Sequence, residues 1–170
     1  MERLLLYVHY NQHNKVDDHV VYQLKQIRHI YDTLIFISNS QILSSDYVEL
    51  TKAVQIDYFL QRKNEGFDFA GWKDGLMLLG FETVSNYNSV TIMNDTCYGP
   101  LWDLLPHYEY YDEQDIDFWG MTSHPAMLPD RNFIPKHLQS YFIVFKKSLI
   151  SSPYFAEFWE RIRNFTTVQE

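Results

Sequence analysis

Short apolar runs alternate with amphipathic stretches through the first half of the chain. Leu4 to Val8 is continuously apolar, as a strand covered on both faces would be. Asp17-Asp18 then gives a helix-start signal. Val20, Val21, Leu24, Ile27 and Tyr31 follow at helical spacing, with Gln23, Lys25, Gln26 and Arg28 turned outward. Thr33 to Ile37 predicts a second strand, ending in Ser38-Asn39-Ser40. Ser45-Asp46 opens a short helix through Val54, and Ile56 to Leu60 reads as a third strand. Asn64-Glu65-Gly66 is a turn, a helix runs from near Phe69 to Leu79, and Val90 to Met93 is a fourth strand closed by Asn94-Asp95.

The second half is less regular. Asp117 to Met121 reads as a strand, Ser123 to Pro135 as a proline-punctuated loop, and Gln139 to Phe145 as another strand. Ser152-Pro153 starts a last helix with proline in its favoured first turn. Tyr154, Phe155, Phe158, Trp159, Ile162 and Phe165 are expected on its apolar face. The order β-α-β-α-β-α-β implies an α/β domain with a mostly parallel sheet flanked by helices, and 170 residues suit a single domain over 1–170. In such sheets ligands bind beyond the carboxyl ends of the strands. His9-Tyr10-Asn11, Ser38-Asn39-Ser40, Arg62-Lys63-Asn64 and Asn94-Asp95 all fall there.

Charge narrows the ligand. With 22 acidic and 14 basic residues the formal net charge is −8, and no basic run interrupts it, which argues against nucleic acid. A small anion remains compatible, since local cations and helix N-termini hold diphosphates. The single cysteine, Cys97, excludes an internal disulfide or a cysteine metal cluster. No apolar run approaches the ~20 residues that span a bilayer. Aromatics make up 17% of the chain, enough to dominate its core.

Two clusters carry chemistry. In Arg62 to Lys73, Gly66 permits a positive φ or close backbone approach, and Asp68 stands where a helix N-cap would. Arg62 and that helix N-terminus could face a diphosphate. In Val90 to Pro100, Asp95 lies just past a buried strand, where one carboxylate can share Mg²⁺ or Mn²⁺ with phosphates; a capping role is the alternative. No G-x-G-x-x-G, G-x-x-x-x-G-K-[ST] or G-x-S-x-G occurs, so dinucleotide enzymes, P-loop NTPases and common hydrolases lose ground.

Six stretches in order resemble the rhamnan synthesis protein F family. They are Tyr7-Val8-His9-Tyr10-Asn11, Ile35 to Ser40, Asn64 to Lys73, Asn94 to Pro100, Asp117-Phe118-Trp119-Gly120 and His137 to Phe142. The resemblance implies a GT-A-like, nucleotide-sugar-binding fold and rhamnosyl transfer from dTDP-L-rhamnose to a growing cell-surface polysaccharide, by a hexosyltransferase of inverting type. It also implies that the chain is the N-terminal part of a longer glycosyltransferase.

By likeness to inverting GT-A enzymes, Tyr10 would stack on the nucleobase, Asn39 read base or ribose, and Arg62 supply the cation. Asn64, Gly66, Asp68, Asn94 and Asp95 would complete the donor site, with Asp95 the metal ligand. Met93-Asn94-Asp95 has one carboxylate where the metal-binding Asp-x-Asp motif of those GT-A enzymes has two. Candidates for the base that deprotonates the acceptor hydroxyl are Asp117 and Asp130. The expected partners are a nucleotide-sugar donor and a polysaccharide or lipid-linked saccharide acceptor. The expected location is cytoplasmic, with contact to the inner membrane face made through other regions. The rival is a non-catalytic sugar-nucleotide-binding or scaffolding module.

Overall fold

The computed structural model describes residues 1–127 and 133–166. Four parallel strands form one side of its sheet: β1 (Arg3–His9), β2 (Thr33–Ser38), β3 (Tyr58–Gln61) and β4 (Ser89–Asn94). Two more, β5 (Phe118–Gly120) and β8 (Phe142–Lys146), extend the sheet to six strands in the order β3-β2-β1-β4-β8-β5. β8 runs antiparallel to both β4 and β5. A separate pair, β6 (Ser123–His124) and β7 (His137–Leu138), lies outside this sheet. The helices are α1 (Asp18–Ile27), α2 (Ser44–Ala53), α3 (Phe67–Leu79), α4 (Phe81–Val84), α5 (Leu105–Asp112), α6 (Lys147–Ile150) and α7 (Pro153–Glu160).

Strand alternation divides the core into two layers. Leu5 and Tyr7 of β1 and Leu34 and Phe36 of β2 join Val20, Leu24 and Ile27 of α1, Leu50 of α2 and Tyr108 of α5. On the other face Leu4, Leu6 and Val8 meet Ile35, Ile37, Trp72, Leu76, Phe155 and Trp159, from β2, α3 and α7. Each buried side chain of this kind contributes roughly 1.5–3 kcal/mol. The continuous apolar runs arise because both faces of β1, β2 and β4 are covered.

Two glycines let α3 lie close on the sheet. A Cβ on Gly75 would stand 2.7 Å from Ile37 Cδ1, and one on Gly71 2.9 Å from Val8 Cγ2. Trp72 is fully buried, and its Nε1 donates to the Met93 carbonyl at 3.1 Å, tying α3 to the end of β4.

Several expectations are corrected. α3 begins at Phe67 rather than near Phe69, and its N-cap is Gly66 in the left-handed region at φ +69°. Asp68 is therefore inside the first turn and caps nothing. The apolar face expected of the last helix is only partly used: Phe155 and Trp159 are buried, whereas Tyr154 and Phe158 are 74% and 52% exposed. Part of the segment read as a loop from Ser123 is the β6 strand. Helix α5 went unpredicted because Tyr108 is its sole buried residue. It is anchored by hydroxyl contacts from Tyr108 to Tyr31 at 2.5 Å and to Thr91 at 2.7 Å.

Candidate active site

From β1 the chain moves outward to β2 and β3, then returns to place β4 on the other side of β1. The strand order reverses there, so the carboxyl ends of β1 and β4 form the edge at which such sheets bind ligands, while α1 and α5, which follow these strands, pack on the same face. Asp95 sits at that edge, immediately after β4. Its Oδ2 accepts the Tyr10 backbone N–H at 2.9 Å, and its carbonyl oxygen lies 3.2 Å from His19 Nε2.

Asp68 reaches the same edge from the first turn of α3. Its Oδ2 accepts Asn94 Nδ2 at 2.8 Å, while Asn94 Oδ1 accepts the Thr96 backbone N–H at 3.1 Å. Burial pushes the Asp95 carboxyl up to about 6, with the Tyr10 amide opposing the shift and the negative charge of Asp68 adding to it. Burial also raises Asp68, partly offset by the Asn94 hydrogen bond. Partial desolvation and mutual repulsion both disfavour two free carboxylates here. A divalent cation would relieve both, and an all-oxygen donor set suits Mg²⁺ or Mn²⁺. Among the described residues no group of three or more His, Cys, Asp or Glu gathers for a metal, so phosphate or water oxygens would have to complete the shell.

Asn39 and Arg62 meet at the ends of β2 and β3. Arg62 Nη1 donates to Asn39 Oδ1 at 2.8 Å, Nε to Asp74 Oδ2 at 2.7 Å, and Nη2 to the Glu65 carbonyl at 2.7 Å. Its side chain is only 8% exposed, so the guanidinium is committed to protein partners rather than turned to a ligand. This arrangement fixes the amide of Asn39. With Oδ1 facing Arg62, Nδ2 is left buried without a hydrogen-bond partner among the described residues. Buried donors are normally paired, so an orphan at a ligand edge marks a place for an acceptor.

The remaining expected site residues are placed as follows. Tyr10 is 49% exposed and reaches Asp95 through its backbone. Gly66 is buried, and its N–H donates to the Phe165 carbonyl at 2.6 Å. Asn64 is half-buried on the connection into α3. Asp117 is not brought to the site. Its carbonyl accepts the Lys146 N–H, and Lys146 pairs with Ser89 at the opposite end of β4. Its carboxylate takes the Ser148 hydroxyl at 2.7 Å instead. Asp130 lies outside the described residues. His9 is buried, its Nδ1 3.2 Å from Ser38 Oγ, and burial lowers it to about 4, leaving it neutral. The sequence reading missed His19, whose distance in sequence from Asp95 hides their contact.

Among the described residues, no helix is long and apolar enough to cross a membrane. The fold is similar to HddC from Yersinia pseudotuberculosis (TM-score 0.54, 12% identity, 97% of this chain and 88% of that one). It is also similar to core-mannan synthase A from Aspergillus fumigatus in its Mn/GDP form (TM-score 0.50, 7% identity, 94% and 63%). At such identities the likeness concerns fold alone, and the architecture is of GT-A type.

By sequence the chain is 28% identical over 131 residues to the uncharacterized protein y4gN of Sinorhizobium fredii. It is 28% identical over 137 residues to virulence protein VirA of Vibrio anguillarum. It spans 32% and 38% of those two proteins' lengths, against 76% and 80% of its own. A family model, rhamnan synthesis protein F, matches residues 34–170. That match takes in Asn39, Arg62, Asp68, Asn94 and Asp95 at the ends of β2, β3 and β4, and on it the chain belongs to the rhamnan synthesis protein F family, with a glycosyltransferase-like domain.

Proposed function

We propose that this domain binds the donor in a glycosyltransferase that moves rhamnose from dTDP-L-rhamnose to a growing cell-surface polysaccharide. One observation carries the reading. Asp95 is held at the carboxyl ends of β1 and β4 by the Tyr10 amide with Asp68 beside it, a placement in which burial raises both carboxyls. Such a site suits a divalent cation shared with a diphosphate. Asp95 and Asp68 would hold Mg²⁺ or Mn²⁺, which would neutralise the departing diphosphate. The orphan Nδ2 of Asn39 offers a donor to a base or ribose oxygen, and Arg62 acts by orienting that amide. The half-exposed Tyr10 ring is available for stacking on the base.

In the transfer, an acceptor hydroxyl attacks the anomeric carbon, the bond to the diphosphate oxygen breaks, and the hydroxyl proton passes to a base. Inversion and a hexose donor follow from the family resemblance. The Mn/GDP form of core-mannan synthase A, a protein of similar fold, supports the use of a metal and a nucleotide here. A cytoplasmic location, facing a lipid-linked acceptor, belongs to the same proposal.

Calorimetric titration of dTDP-L-rhamnose with and without Mn²⁺ tests it. Binding that strengthens with Mn²⁺ and weakens roughly tenfold or more in Asp95→Asn, about 1.4 kcal/mol, is expected. Absence of nucleotide binding under both conditions would leave the scaffolding reading in its place.

A further inference from the structure

A cavity of about 640 Å³ opens on the same sheet edge, between the loop following Asp95 and the ends of β5 and β8. Its size falls in the ~300–1,000 Å³ range of small-ligand sites. Met93 and Cys97, flanking Asp95 in sequence, form one wall. Trp102 and Tyr98, at 65% and 80% exposure, form its mouth, and Trp119 forms part of its lining.

Trp119 is the informative residue. It is 5% exposed, yet its indole Nε1 is buried with no hydrogen-bond partner among the described residues. The ring is held by Tyr111, stacked at 4.6 Å, by Tyr108 edge-on at 5.1 Å, and by Phe142 at 5.7 Å. Locked in this way, the indole cannot easily turn to find a partner. A buried, unmet N–H is costly, and the cost disappears when a ligand oxygen accepts it. The rest of the wall is largely aromatic and aliphatic.

A ligand for this cavity must therefore combine an apolar face with hydroxyl groups. A hydrocarbon chain would fill the space and leave Nε1 unmet. A pyranose meets both demands: its C–H face lies on an aromatic ring and a hydroxyl accepts from the indole. We propose that this cavity is the subsite for the terminal sugar of the acceptor saccharide, with Trp119 Nε1 as hydrogen-bond donor and Trp102 as stacking surface. The assignment of the sugar as acceptor rests on the glycosyl-transfer reading above. The saccharide would lie beside Asp95, next to the diphosphate.

The test is saturation-transfer NMR and tryptophan fluorescence with methyl α-L-rhamnopyranoside, run alongside calorimetry with dTDP and Mn²⁺. Wild type should bind both. Trp102→Ala, a change at an exposed ring, should weaken the saccharide at least fivefold and leave dTDP within twofold. Trp119→Phe, which keeps a ring and removes the N–H, should also weaken the saccharide about fivefold. Saccharide binding that neither variant changes would overturn the subsite. So would dTDP binding with no saccharide binding, or uptake of n-decanol in place of the saccharide, and both results leave the donor reading standing. Saccharide binding without dTDP binding removes the donor reading and keeps the subsite as a saccharide site. Binding of neither overturns both.

Discussion

β1, β2 and β4 bury almost every side chain, whereas β5 and β8 alternate between buried and partly open positions. β1, β2 and β4 are enclosed between two helical layers, and polar residues collect at their carboxyl ends, where the chain leaves the sheet. The antiparallel half has thinner cover, with α5 contributing one buried side chain and a cavity remaining beside it. One half therefore concentrates charge at a fixed edge, and the other exposes aromatic surface. The pairing suits a reaction that joins an anionic donor to a saccharide.

The sharpest way to separate the halves is to remove one tryptophan from each. Trp72→Ala should destabilise the fold by about 3–5 kcal/mol, since it empties a fully buried site. It should also weaken dTDP binding, because the Nε1 bond that steadies the end of β4 is lost. Trp119→Ala should cost comparable stability yet leave dTDP affinity within about twofold once measured under folding conditions. Equal losses of dTDP affinity in the two variants, by denaturant melts and calorimetry, would dissolve the distinction.

Asp95→Asn comes next, through pH. An unfolded aspartate ionises near 4, whereas burial holds Asp95 protonated up to about 6. Ionising it in the folded state thus carries a penalty that is absent below pH 4, grows between 4 and 6, and is complete above 6. The asparagine variant lacks this penalty. It should match wild type near pH 4 and exceed it by up to about 3 kcal/mol at pH 7.5 in urea denaturation. A variant less stable than wild type at pH 7.5 would make Asp95 a structural residue. By the same linkage, Mn²⁺ affinity of wild type should fall as pH drops below 6.

Asp74→Asn loosens one of the three contacts on Arg62 and should cost about 1 kcal/mol, because Asp74 is partly exposed. Nucleotide affinity should fall severalfold as the Asn39 amide gains freedom to turn. The smallest effect is expected at Asp117→Asn, on the far edge of the sheet. Stability should change by less than about 0.5 kcal/mol, and dTDP affinity should not change.

What the sequence revealed follows the same division. Leu4 to Val8, Thr33 to Ile37 and Val90 to Met93 announced their strands because burial on both faces leaves uninterrupted apolar runs. Their polar ends marked the ligand edge. The direction of β8 was not legible, since alternation in residues 142–146 reports which faces are covered and says nothing of which neighbour the strand runs against. Asp68 looked like a cap because its neighbours read as a helix start; its contact with Asn94 spans 26 residues and leaves no local pattern. Arg62 was visible as a cation at the right edge, but its three partners, two of them distant in sequence, became visible only in the fold.

The hydrogen bond from the Tyr10 amide to Asp95 spans 85 residues of chain, and this has a consequence in time. Closing a loop of that length is entropically slow to be repaid, and non-local parallel pairing is a late event in folding. β1 can meet β2 before β4 is in place, yet Asp95 cannot reach the Tyr10 amide until β4 docks along β1. Capacity to hold a nucleotide should therefore emerge after most helical structure during refolding, so that ligand capture times the docking of the fourth strand.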